Sequence, residues 1–231
     1  MRHKSTRYRA SLAFAACGIL ATTVGCTSSE DERTDSGPQS GTSTGVPSAE
    51  PKPLNASELQ KLLITPRDLG PGYAQDPAKE SGSEDYDDTA IEGCSALEKL
   101  GKQGDQAQFA VKATADFTYN TDSELGEELY SDTSAALSTK LRTIMDAYAS
   151  CPTYTMTAGS TPIEIKVSKS TPPQTGDEQY AHTTTLKLPS GPQVLKTAAV
   201  RQGNVVVMLT GTPALVDRHI ETAVGKATAS D

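Results

Sequence analysis

The first 53 residues contain almost nothing from which a core could be built, so any fold has to be made from Leu54 onward. Met1–Arg9 carries Arg2, Lys4, Arg7 and Arg9 with no acid, and Ala10–Val24 follows as a mostly apolar stretch. A helix of about 15 residues rises only about 22 Å, short of the ~30 Å hydrocarbon core of a bilayer. Residues 1–25 therefore read as an export signal that is removed, and not as a permanent span. Thr27–Pro53 is rich in Ser, Thr, Gly, Pro and acids, with Val46 as its one large aliphatic residue. Such a segment cannot bury enough apolar surface to offset the entropy of ordering it. Residues 26–53 are expected to be a disordered tether that reaches roughly 30 Å as a flexible coil.

The end of the signal adds an anchor. Thr23-Val24-Gly25-Cys26 resembles a bacterial lipobox, although Thr23 stands where Leu is usual. The resemblance implies that Cys26 becomes the first mature residue and carries two or three acyl chains. More than one chain is what stable membrane attachment requires. Cys17 is the poorer acceptor because it lies inside the apolar stretch. The partner implied is the cell membrane, through lipid on Cys26, with the domain on its extracellular side.

Charge removes one class of function. Lys+Arg number 21 against 29 Asp+Glu, a net of −8, and loss of a cationic signal leaves the mature chain more acidic still. A surface of that sign repels phosphate backbones, so nucleic acid is not an expected partner. The aromatic content of 5% also argues mildly against a carbohydrate platform.

Residues 54–231 have the periodicities of one folded domain. Asn55-Ala56-Ser57-Glu58 has the spacing of a capping box before Leu59, Leu62 and Leu63, which predicts a helix. The same residues open a formal glycosylation sequon. Thr65–Leu69 predicts a second helical turn, ended by Gly70-Pro71-Gly72. Ser81–Asp88 is an acidic loop that lacks the order of acids and the central Gly of a calcium loop. Ile91, Cys94, Leu97 and Leu100, at every third position, predict a helix over Ala90–Leu100. Phe109–Tyr119 alternates as a half-buried strand, with a short strand over Glu127–Tyr130 to pair back on it. The strongest helix is Ser134–Ser150, striped by Leu137, Leu141, Ile144, Met145 and Tyr148 and stopped by Pro152.

Strands fill the last third: Tyr154–Thr157, Ile163–Val167, Glu178–Leu188, Val194–Arg201 and Val205–Leu209. The last two flank a compact turn at Gln202-Gly203-Asn204. Val205–Leu209 is apolar on both faces and is expected at the centre of the sheet. Thr212-Pro213 opens a closing helix with Val216, Ile220, Ala223, Val224 and Ala227 facing inward. Helices before and after a mostly antiparallel sheet make an α+β fold, with a twisted sheet and helices packed on it.

Two cysteines remain beyond Cys26 in the expected mature chain, Cys94 and Cys151. Each falls on the apolar face of a predicted helix, and export places them in an oxidising compartment. They are expected to pair; a metal site is the weaker alternative, because two lone cysteines cannot fill a tetrahedral shell. His182 and His219 are the mature histidines. Neither accompanies a GxSxG elbow, an HExxH pair or a phosphate-binding glycine loop. Partly buried, satisfied side chains are expected there, with no catalytic residue, metal or cofactor.

The order of motifs carries a family resemblance. Leu62–Tyr73 (LLITPRDLGPGY), Ala147–Pro152 (AYASCP), Gly176–Gln179 and Ala199–Val207 resemble segments of actinobacterial lipoproteins. They also resemble the extracytoplasmic sensor domain of mycobacterial receptor Ser/Thr kinases. The resemblance implies an α+β domain with a cleft between sheet and helices, stapled by disulfides and binding an unidentified ligand. Those domains generally hold two disulfides, and this chain has cysteines for one. The expected function is a lipid-anchored, non-catalytic ligand-binding or sensor-like domain for an unknown small molecule or protein. The alternative is a carrier or chaperone for an apolar cell-envelope molecule, in which small residues such as Ala113, Ala115, Ala198 and Ala199 leave room for a cavity or let helices pack close. An enzyme of unrecognised class is the least expected.

Overall fold

The computed structural model describes residues 52–77, 89–103, 109–158 and 161–229. The expected signal, Cys26, nearly all of the expected tether and the acidic loop Ser81–Asp88 lie outside the described residues.

Two short helices open the domain, α1 (Ala56–Leu62) with a reciprocal cap and α2 (Pro66–Leu69) with a cap made by the Asp68 carboxylate. The Asn55 side chain accepts from the Glu58 N–H at 3.0 Å while the Glu58 carboxylate accepts from the Asn55 N–H at 2.7 Å. Thr65 donates both its N–H and its hydroxyl to Asp68. The elements that follow are β1 (Tyr73–Gln75), β2 (Thr89–Glu92), α3 (Ser95–Lys102), β3 (Val111–Tyr119), β4 (Ser123–Ser131), α4 (Ser134–Ser150), β5 (Thr153–Ala158), β6 (Thr161–Lys169), β7 (Glu178–Leu188), β8 (Gly191–Gln202), β9 (Val205–Gly211) and α5 (Pro213–Ala227). The strands form one nine-stranded sheet in the order β1-β3-β4-β9-β8-β7-β6-β5-β2. Every pairing in it is antiparallel. The α+β expectation is met, with an antiparallel sheet throughout.

Helices cover the sheet on both faces. On one side α1, α2 and α5 bury Leu59, Ile64, Leu69, Val216 and Ile220 against Phe117, Leu125, Leu129, Val200 and Leu209. On the other, α4 sets Leu137, Leu141 and Met145 on Ala199 and Val206. Beyond it α3 and the end of α4 pack Cys94, Leu97, Ala147 and Cys151 on Tyr154 and Ile165. This division explains why β9 is apolar at successive positions: Val205, Val207 and Leu209 face α5 while Val206 faces α4. Strand β9 lies between β4 and β8, in the interior of the sheet. Ala113, Ala115, Ala198 and Ala199 are all buried within these cores, so their small volume lets helix and sheet approach closely.

Three elements differ from the sequence expectation. Ala90–Leu100 is not one helix: Ala90–Glu92 belongs to β2, paired with Thr155–Thr157, and Cys94 caps α3. Gly93 has φ +84° and Cys94 has φ −140°, conformations that no helix continues through. The every-third spacing arose because Ile91 on a strand and Leu97 on a helix enter the same core. Strand β4 runs over nine residues rather than four; Gly126 and its flanking acids mask an alternation that Leu125, Glu127 and Leu129 actually keep. The short edge strand β1 carries too few residues for periodicity to find.

Cys94 and Cys151 are joined, with Cα atoms 5.7 Å apart and a sequence separation of 57. Closing a loop of that size stabilises the fold by about 4 kcal/mol in the chain-entropy description. Upstream of α1 the chain is already fastened: Asn204 Nδ2 donates to the Lys52 carbonyl at 2.6 Å, and the Leu54 N–H donates to Ser131 Oγ at 2.9 Å.

Candidate functional site

The local sequence around Pro152 opens a cleft. Pro152 cannot extend α4, and its carbonyl instead accepts the Val167 N–H at 3.0 Å, which hooks the helix end over β6. The β6–β7 connection leaves the sheet at Ser170 and returns at Glu178. It is held by the Ser170 N–H on the Ala181 carbonyl and by Ser170 Oγ against Thr183 Oγ1 at 2.6 Å. Between the last turns of α4 and the start of β7 lies a cleft of about 440 Å³.

Its walls are mixed. Met145 and Ala149 supply apolar surface from α4 and Pro152 from just beyond its end, and Val167 and Pro172 add more from β6 and the loop. Asp146, Lys169, Ser170, Gln179, Tyr180 and His182 supply polar groups. His182 is buried and its ring stacks on Tyr148 with centroids 4.9 Å apart. Burial holds the His182 imidazole below its ordinary pKa, and burial raises the Tyr148 phenol. Both rings are therefore neutral at pH 7. Arg142 hydrogen-bonds Tyr180 beside the cleft.

The far side of the loop is locked by charge. Arg201 Nη1 donates to Asp177 Oδ2 at 3.0 Å and its Nε to Glu178 Oε1 at 3.1 Å. The Gly203 N–H also donates to Asp177 Oδ2 at 2.8 Å. Gly176 has φ +80°, and a Cβ there would lie 2.8 Å from the Arg201 carbonyl oxygen. Only glycine fits where the loop crosses β8 this closely.

His219 is placed differently, against β1. Its Nε2 lies 2.6 Å from the Tyr73 hydroxyl, with the rings in edge contact, while Tyr73 also packs on Tyr119 with centroids 4.6 Å apart. This arrangement ties α5 to the edge of the sheet. His182 and His219 sit in separate cores, on opposite faces of the sheet. Among the described residues His182 makes no hydrogen bond to a serine or a carboxylate. No group of three metal-ligating side chains occurs among the described residues.

Sequence reasoning singled out His182 but missed its neighbours in the cleft. Asp146 lies within the predicted helix Ser134–Ser150 and Lys169 beyond the predicted strand Ile163–Val167, and nothing in their spacing brings them together. It also missed Glu127, which is 1% exposed on the α1–α2 face of β4. Its Oε2 accepts the Ile64 N–H at 2.7 Å and its Oε1 has no partner. Burial pushes this carboxyl up to about 7, opposed by the Ile64 hydrogen bond and by Lys226, while Asp68 adds to the rise. The signal was available: Glu127 occupies the buried phase between Leu125 and Leu129.

No protein-family model matches this chain. No curated protein matches it either. Among solved structures it is similar to the extracellular domain of PknH from Mycobacterium tuberculosis, with a TM-score of 0.54 and 12% identity over 76% of this chain and 97% of that chain. Likeness at that identity is a likeness of fold. The fold of this chain resembles that of an extracellular domain, and it carries a disulfide.

Proposed function

We propose that this chain is a lipid-anchored, extracytoplasmic, non-catalytic ligand-binding domain of sensor type, held on the outer face of the cell membrane by acyl chains on Cys26. The observation that carries the reading is the cleft between α4 and the β6–β7 segment, about 440 Å³ in volume and floored by a buried histidine. That volume falls in the range of small-molecule sites, which combine apolar walls with a few convergent polar groups. The likeness to an extracellular domain and the disulfide support a location outside the cytoplasm. A mixed lining favours binding of a small polar or amphipathic molecule over carriage of a wholly apolar one.

The anchor is tested by metabolic labelling with palmitate. Label on the wild-type protein and none on Cys26→Ala is the expected result. Equal label on both, or none on either, would remove the anchor from the account. Native mass spectrometry of the purified domain tests the binding reading through a co-purifying small molecule.

A further inference from the structure

The cleft holds two opposite charges that are not joined to each other. Asp146 projects from α4 and Lys169 from the end of β6, and both line the same cavity. Elsewhere in the domain neighbouring opposite charges do join: Lys140 with Asp132, Lys187 with Glu164 and Arg201 with Asp177. Asp146 lies one helical turn from Arg142, whose guanidinium hydrogen-bonds Tyr180 and also feels the Asp146 charge, but no ion pair joins Asp146 or Lys169 to another side chain among the described residues. Between the two charges the lining is apolar on the helix side, through Met145 and Ala149, and amide or hydroxyl on the strand side, through Gln179 and Tyr180. His182 adds a neutral imidazole at the floor.

We infer that the cleft recognises a small zwitterion of amino-acid or dipeptide size, its ammonium on Asp146, its carboxylate on Lys169 and its side chain on Met145 and Ala149. This deepens the proposed function and rests on it. The chemistry is that of charge-assisted hydrogen bonds, which are roughly twice as strong as neutral ones. A ligand with one charge forgoes one of the two attractive contacts, so both charges enter the selectivity. Both side chains are exposed at the cleft rim, so their replacement does not touch the core.

The test is a titration of the folded domain with L-alanyl-L-leucine, followed by NMR at His182, Tyr180 and Ala149. Saturable shifts at these residues are expected. Acetylating the peptide amine, amidating its carboxylate, Asp146→Asn and Lys169→Gln should each weaken binding about tenfold or more. Capped and uncapped peptides binding alike, or both variants binding as the wild type does, would overturn zwitterion recognition and leave the binding reading standing. No shift from the peptide, from its capped forms or from an apolar fluorescent probe would overturn both.

Discussion

The His182 imidazole lies face to face with the Tyr148 phenol, the two planes inclined by only 18°. The pair spans the layer between α4 and β7, and His182 of the two lines the cleft, so a group that titrates near neutrality in water is shielded by a ring. Desolvation lowers its pKa from the ordinary 6.5. The folded state therefore resists protonation there. The contribution of His182 to stability is complete above about 6.5 and is lost as pH falls below it. NMR titration of the His182 ring should give a midpoint below 6.5, and Tyr148→Ala, which opens the ring to water, should move it upward. A wild-type midpoint at or above the free value would contradict the shielding.

Glu127 acts with the opposite sign. Its carboxyl is buried with one oxygen unpartnered, and its pKa is raised to about 7 from 4.5. The proton is bound more tightly in the folded than in the unfolded chain. Stability from this group is full below about 4.5 and declines as pH rises through about 7. The loss reaches about 3 kcal/mol at most. Glu127→Gln should flatten this slope and make the domain more stable than the wild type at pH 8, as read by denaturant melts at several pH values. Parallel melts for the two proteins would show that Glu127 is not the cause.

Much of the fold was legible because burial imposes a period. Leu137, Leu141 and Met145 repeat as a helix repeats, and Tyr180, His182, Leu186 and Leu188 fall on one side of β7, so α4 and β7 have the bounds that the sequence predicts. The reading failed where two elements shared a core. Ile91 and Leu97 enter one cluster from a strand and a helix, and spacing alone cannot separate them. The site was far less legible. A cleft made by Pro152 turning a helix end onto β6 brings Asp146 and Lys169 together through tertiary structure, and no local pattern records that. Cys94 and Cys151 were easier, since a pair of half-cystines has few alternatives.

The disulfide has a measurable share in stability. It ties the cap of α3 to the end of α4, and with it the edge strand β2 to the wall of the cleft. Replacing both cysteines by serine should cost about 2–5 kcal/mol in chemical denaturation. Stability unchanged under reducing and non-reducing conditions would show that the bridge contributes nothing.

Gly176 is where the β6–β7 loop passes close to β8. With φ +80° and the Arg201 carbonyl beneath it, Gly176→Ala meets both a strained backbone and a close contact. The cost should exceed about 1 kcal/mol. It should also loosen the Asp177–Arg201 lock, which hydrogen exchange at the Asp177 and Gly203 amides would report. An alanine variant as stable and as protected as the wild type would contradict this view of the loop.

The central claim is that the cleft between α4 and β7 is where this domain holds its ligand. Native mass spectrometry of the domain purified from its own cells, compared with an Ala149→Trp variant that fills the cleft from an exposed position, tests it most directly. The account predicts a small-molecule adduct on the wild type that is missing from the tryptophan variant while both remain folded. An adduct retained by the filled cleft, or none on either protein, would contradict it.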